Sequence, residues 1–259
     1  MALDVGNSGI GVGFFERRDN GFALTARSRF STETRRTPDE HILILRELMQ
    51  LYGIDLRSVT ECAVSCVVPE LAHTVSLAGE YFTGCAPLWI GPGIHTGLNI
   101  RIDNHVQIGS DIVADTVAAV ATTKAPAAIV DVGTVTAIAV ADGASSLIGA
   151  ILCPGLRTSM ESMARSAALL NSADLARPSS LIGRNTADSV NSGVVNGHIL
   201  MIDGFIREIR QTIPKDGEKL SLIATGGLAD RVIPFCRNQF TLVPELTLLG
   251  IAEIYRRNT

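Results

Sequence analysis

The chain has 259 residues, of which 46% are hydrophobic and 19% charged, and its formal net charge is −4. That composition excludes a disordered chain, and the absence of a Gly-X-Y period excludes collagen. With 22 basic against 26 acidic residues, it also lacks the basic excess that a nucleic-acid groove needs.

No apolar run reaches the roughly 18–20 residues of a membrane span, so no membrane role is expected. Met1-Ala2-Leu3-Asp4 lacks the basic and then apolar pattern of a signal peptide. Cys62, Cys66, Cys85, Cys153 and Cys236 form no CxxC pair. Scattered in this way they suit reduced thiols in a cytoplasm and argue against a cysteine-built metal site.

In chain order, Asp4-Val5-Gly6-Asn7-Ser8 lies between a short apolar run and the alternating stretch Gly9 to Phe15. That pattern predicts a hairpin with a glycine-bearing turn. Thr37-Pro38-Asp39-Glu40 predicts a capped helix start, with Ile42, Leu45, Leu48 and Met49 as its apolar stripe up to Gly53. Glu61 to Val68 reads as a buried strand closed by Pro69, and Asp111 to Thr122 as a helix of small residues. Ala127 to Val130, Thr136 to Val140 and Ser146 to Leu152 read as three strands. Helices are predicted over Thr158 to Leu170 and, as one long element, over Asp188 to Ile213. A strand at Leu220 to Ala224 and a closing helix at Leu248 to Arg257 complete the chain. The pattern implies α/β layers. Asp131-Val132-Gly133-Thr134-Val135 repeats the first hairpin turn about half the chain later, which predicts two related domains facing each other.

Several segments could carry chemistry. In Asp4-x-Gly6-Asn7-Ser8, glycine lets backbone amides approach a phosphate and the carboxylate can hold Mg²⁺. An ordinary turn uses the same residue types. Asp131-x-Gly133-Thr134 offers a carboxylate and hydroxyls to a cation and phosphate oxygens. Ala224-Thr225-Gly226-Gly227-Leu228 admits a flat ligand close to the backbone. Asp111 in Gly109-Ser110-Asp111 is either a helix cap or a general base. Gly183-Arg184-Asn185-Thr186 either grips an anion or caps a helix. His41, His73, His95, His105 and His198 show no metal-binding spacing; His41 and His198 fall in helical stretches, either solvated or packed. GxSxG, GxxxxGK[ST] and GxGxxG after a strand are all missing. One Trp and three Tyr give no stacking platform for a single nucleic-acid strand.

Taken in order, these segments resemble the type III pantothenate kinases, within the superfamily of acetate and sugar kinases, chaperone ATPases and actin. The likeness runs from Asp4 to Asn258. Besides the loops above it rests on Ser65-Cys66-Val67-Val68-Pro69, Gly91-Pro92-Gly93-Ile94, Thr96-Gly97-Leu98-Asn99, Pro154-Gly155-Leu156, Ser192-Gly193, Leu246-Thr247-Leu248 and Tyr255-Arg256-Arg257-Asn258. The resemblance implies two ribonuclease-H-like α/β domains of the actin-like ATPase fold, placed at residues 1–118 and 119–259, with ATP in the cleft between them. It implies phosphorylation of pantothenate by ATP, the first step of coenzyme A synthesis, with Mg²⁺, potassium or ammonium, and a homodimer. It carries ATP binding onto Asp4, Val5, Gly6, Asn7, Ser8, Gly9, Ile10, Gly11, Thr134, Gly226 and Gly227. Asp111 takes the place of the catalytic base, Asp4 that of the Mg²⁺ carboxylate and Asp131 that of the monovalent-cation ligand. Gly109, Ser110, Asp111, Ile112 and Thr186 fall in the pantothenate site.

The chain departs from that family on the substrate side. Ile112 stands where the family has an arginine, Ile102 where it has a tyrosine, Asn104-His105 where it has Asn-Pro, and Asp115 where it has an asparagine. After Thr134, the run Val135-Thr136-Ala137-Ile138-Ala139 lacks the family's aromatic tail. An isoleucine cannot neutralise a carboxylate as a guanidinium does. Arg101, Arg157 and Arg165 are candidates for a replacement cation. Two further readings follow from Ile112: a diverged paralogue that binds nucleotide but not pantothenate, and a kinase for a pantetheine-like alcohol.

Overall fold

The computed structural model describes residues 1–19, 21–104, 107–166, 174–213 and 218–259. In chain order its elements are β1 (Ala2–Val5), β2 (Gly9–Arg18), β3 (Gly21–Ser31), α1 (Pro38–Leu51), β4 (Ala63–Cys66), α2 (Ala72–Thr83), β5 (Leu88–Trp89), β6 (Asn99–Ile100) and α3 (Ser110–Thr122). There follow β7 (Ala127–Val132), β8 (Val135–Ala141), β9 (Ser146–Pro154), α4 (Leu156–Ser166), α5 (Thr186–Asn191), α6 (Gly197–Thr212), β10 (Ser221–Thr225), β11 (Thr241–Leu242) and α7 (Leu246–Asn258).

The chain forms two compact units. The first comprises Met1–Leu98, Asp103–Ala118 and Glu245–Thr259, the second Asn99–Ile102 and Ala119–Pro244. This division differs from a single cut after residue 118. The helix α7 belongs to the first unit because its apolar face, with Leu246, Leu248, Ile251 and Ile254 buried, packs on β1 to β4. Residues 99–102 belong to the second because β6 pairs with β9.

The first sheet runs β3-β2-β1-β4-β5. Its core is built from alternate residues of β1 and β2 (Leu3, Val5, Ile10, Val12) against Leu45 and Met49 of α1 and Val75 of α2. Thr37 and Glu40 form the expected capping box, and Pro38 opens the helix. The second sheet runs β11-β10-β7-β8-β9-β6. Apart from β6, it repeats the first: an antiparallel β7-β8-β9 meander, then β10 parallel to β7 and β11 parallel to β10. Its core gathers Val130, Val132, Ile138 and Leu222 against Val190, Ile202 and Ile206. Both predicted hairpins are present, β1–β2 and β7–β8.

Other expectations shift. The buried strand is Ala63–Cys66, shorter than Glu61 to Val68, since the pairing with β1 ends there. The predicted helix Thr158 to Leu170 begins earlier, at Leu156; its residues 167–170 lie outside the described residues, as does His105. The single long helix at Asp188 to Ile213 is instead α5, a π-helical stretch Ser192–Asn196, and α6. Apolar periodicity does not register the wider turn there. β3 and α2 were not among the predicted elements. His41 and His198 are both packed: His41 Nδ1 lies 3.0 Å from Thr37 O, while His198 bonds Val194 O and Pro154 O.

Candidate active site

In the first unit, Gly6 to Ser8 turn the chain from β1 into β2. Asn7 and Ser8 stand exposed at the tip. The Gly6 amide is already engaged, donating to Gly9 O at 3.1 Å. The end of β3 braces the turn: Thr32 Oγ1 donates to Gly6 O at 2.5 Å and Thr32 N to Ser8 O at 3.5 Å. Asp4, half-buried, pairs with Gly11 on one side and Ser65 on the other. A Cβ on Gly11 would lie 3.5 Å from Asp4 Cβ and 3.8 Å from its Oδ2. The carboxylate therefore stands beside a strand that carries no side chain at that point.

Ser65 links this end of the sheet to α3. It is fully buried, and its Oγ lies 2.9 Å from Ser110 Oγ, at the start of α3. Asp111 follows, half-buried, and its Oδ1 accepts from Ile112 N at 2.8 Å. Asp111 is thus the second helical residue, taking a first-turn amide from inside the helix. Burial pushes its pKa above the ordinary carboxylate value, against the pull of the backbone hydrogen bonds from Ile112 and from its own amide. A raised carboxylate is the usual state of a base held ready in a partly dry site. A Cβ on Gly109 would come within 3.3 Å of Asp111 Cγ and nearer still to Oδ1, so a side chain there would displace the carboxylate from this position. Ile112 is half-buried, and its carbonyl accepts from Thr116 Oγ1 at 2.8 Å. The departure at Asp115 has a local partner: the buried carboxylate accepts from Thr247 Oγ1 of α7 at 2.7 Å.

In the second unit, Asp131 sits near the end of β7, between Ala137 and Thr225. Gly226, at φ +100°, faces it. A Cβ on Gly226 would lie 2.5 Å from Val132 N and closer still to Asp131 Oδ1. The Gly-Gly step after β10 therefore belongs to the Asp131 turn. Gly155 closes the other side: its N donates to Thr134 O at 3.0 Å, and a Cβ there would stand 2.5 Å from that oxygen. Thr158 Oγ1 adds a second bond to Thr134 O at 2.7 Å. Thr134, Val135 and Gly227 are exposed, and Thr136 is fully buried with no partner for its Oγ1 among the described residues. The carboxylate on a glycine-cleared turn fits a cation completed by carbonyl and phosphate oxygens. No group of three His, Cys, Asp or Glu side chains with metal-binding geometry occurs among the described residues.

Thr186 is exposed as the first residue of α5. Asn185 is the cap, accepting from Asp188 N at 2.8 Å, so the capping role falls to Asn185 rather than Thr186. Of the three candidate cations, Arg101 lies 3.5 Å from Asp142 and Arg165 is held by Glu161. Arg157 is exposed in the first turn of α4. A cavity of about 640 Å³ in the first unit, walled by Phe14, Phe22, Ile54 and Tyr255, includes none of the candidate residues. Sequence reasoning missed the roles of Ser65, Thr32 and Thr158. Nothing in their local spacing marks them, since their partners lie 24 to 45 residues away along the chain.

The chain matches the family model described as type III pantothenate kinase over residues 1–208. It is 36% identical over 258 residues to the type III pantothenate kinase of Myxococcus xanthus, covering 100% of this chain and 98% of that one. The corresponding protein of Shouchella clausii is 34% identical over 258 residues, at 100% and 99% coverage. Among solved structures, a Campylobacter jejuni protein assigned to the Baf family of transcriptional activators aligns with TM-score 0.60 and 16% identity, over 99% of this chain and 98% of that one. The activator of 2-hydroxyisocaproyl-CoA dehydratase from Clostridium difficile, solved with ADPNP bound, aligns with TM-score 0.54 and 13% identity, over 98% and 92%. At such identities these structures show the fold alone, and that fold is the actin-like ATPase fold.

Proposed function

This chain belongs to the family of type III pantothenate kinases, and on that premise we propose that it transfers the γ-phosphoryl group of ATP to the hydroxyl of pantothenate. The observation that carries the proposal is the setting of Asp111. It is a half-buried carboxylate at the head of α3, cleared by Gly109 and steadied by the Ser65–Ser110 contact.

Phosphoryl transfer asks a protein chiefly to position groups and neutralise charge. Asp111 accepts the hydroxyl proton as the oxygen attacks phosphorus. In the first unit the Asp4–Gly11 turn has the phosphate-binding role, and in the second unit Thr134, Gly226 and Gly227 have nucleotide-binding roles. Gly109, Ser110 and Ile112 of the first unit, and Thr186 of the second, have the acceptor-binding role. Asp4 would hold Mg²⁺ and Asp131 a potassium or ammonium ion, which supply positive charge against the phosphate oxygens when bound. The acceptor's carboxylate lacks the family's arginine at 112. Arg157 is the one of the three candidate cations without an ion pair among the described residues, and it lies on α4 beside Thr134's partners. Five free cysteines support a reducing cytoplasm. Exposed Leu181, Ile182 and Leu200 support a homodimer through the second unit.

The test is turnover of pantothenate by the purified protein with Mg-ATP, with and without potassium, and with pantetheine in parallel. Potassium-dependent product from pantothenate is expected. Product from pantetheine alone moves the substrate, and ATP binding without either product rejects the kinase reading.

A further inference from the structure

Four residues form one row across the first sheet. Arg29 of β3 pairs with Gly11 of β2, Gly11 with Asp4 of β1, and Asp4 with Ser65 of β4. Directly paired residues in a sheet project to the same face, and so do residues two apart on one strand. Arg29, Asp4, Gly9 and Gly11 therefore share one face, with two glycines between the cation and the carboxylate. The side chain of Arg29 reaches diagonally over the first of them. A Cβ on Gly9 would lie 3.0 Å from Arg29 Nη2 and 3.1 Å from Cζ, with Nε nearer still. The guanidinium thus rests against bare backbone at the first residue after the phosphate-loop turn. It is exposed, and no acid or carbonyl engages it among the described residues. Its neighbour on the same strand, Arg27, is by contrast paired with Glu245 at 3.1 Å.

We propose that Arg29 is a phosphate-binding residue, its guanidinium taking oxygens of the terminal phosphates of ATP across a glycine floor that Asp4 bounds on the far side. The proposal rests on the ATP-dependent reading above. A guanidinium offers paired donors in a plane, which suits two oxygens of one phosphate. Glycine at 9 has a purpose in this arrangement beyond the turn: a side chain there would displace the guanidinium from its seat.

The experiment compares ATP affinity by calorimetry, in the presence of magnesium, for the full chain and for Arg29→Ala, Arg29→Lys and Gly9→Ala. Arg29→Ala is expected to weaken ATP binding by about tenfold to a hundredfold. Lysine should restore part of that loss, and the KM for pantothenate should stay unchanged. Gly9→Ala places a methyl group where the guanidinium rests, so it should weaken ATP binding in the wild-type background but add little to Arg29→Ala. Thermal melting without nucleotide should not move in Arg29→Ala, because the side chain is exposed and unpaired. Unchanged ATP affinity in Arg29→Ala overturns the proposal, as does a loss matched by a drop in melting temperature, or full additivity with Gly9→Ala. A wild-type protein that binds ATP yet leaves pantothenate unphosphorylated rejects the kinase reading while the Arg29 comparison still decides its own question.

Discussion

Two carboxylates in this protein are bounded by glycines that cannot be replaced without touching them: Gly109 beside Asp111 and Gly226 beside Asp131. For Asp111 the consequence is electrostatic. Its folded pKa is raised, so the native state holds this proton to a higher pH than the unfolded chain does. By linkage, the contribution of this group to stability falls as pH rises from the unfolded to the folded value. Asp111→Asn should therefore leave the fold equally or more stable at neutral pH, while abolishing turnover and keeping ATP affinity. Thermal melts across that pH range together with single-turnover assays check both halves; retained turnover removes Asp111 from the base role. For Gly226 the consequence is steric and conformational. At φ +100° an L side chain is strained, and its Cβ would meet Asp131 and Val132. Gly226→Ala should cost about 1–3 kcal/mol in denaturant unfolding and abolish the potassium response proposed for the Asp131 turn. A variant still activated by potassium would separate Gly226 from the cation turn.

At the scale of elements, the position of α3 depends on α7. Gly250 of α7 passes so close to Ala114 of α3 that a Cβ there would lie 2.9 Å from Ala114 Cα and nearer to its carbonyl carbon. Thr247 bonds Asp115 one turn away. The tail of α7 also secures the loop before β6: Arg257 donates to Thr96 O, and Asn258 exchanges bonds with the His95 backbone, at 3.2 and 2.9 Å. Gly250→Ala must push the helices apart, at a cost of roughly 1–3 kcal/mol for overpacking. Because α3 carries Asp111 at its head, kcat should fall as well, with the KM for ATP little changed. Unaltered stability and kcat would show that the contact has slack.

At the scale of the whole molecule, the first unit is discontinuous in sequence. A fragment of residues 1–118 leaves bare the sheet face that α7 covers with Leu246, Leu248, Ile251 and Ile254. At roughly 25 cal/mol per Å² of apolar area, losing that helix removes several kcal/mol from a unit of marginal stability. The fragment 1–118 should therefore show no cooperative melt, whereas adding a peptide of residues 245–259 in trans should restore one. Circular dichroism distinguishes the two, and a cooperative melt of 1–118 alone would refute the dependence.

What the sequence determined by itself was everything written in short-range pattern. The capping box at Thr37 and Glu40, the two hairpins with their Asp-x-Gly turns and the strand-sized apolar runs are local, because caps, tight turns and two-residue alternation involve neighbours in the chain. The family motifs likewise single out Asp4, Asp111 and Asp131. Tertiary structure alone decided that α7 closes the first unit, that Ser65 steadies the start of α3, that Gly226 belongs to the Asp131 turn, and that Arg29 lies over Gly9. The physical reason is the same in each case. These contacts join residues far apart in the chain, through side-chain volume and strand register, and neither quantity leaves a periodic trace along the sequence.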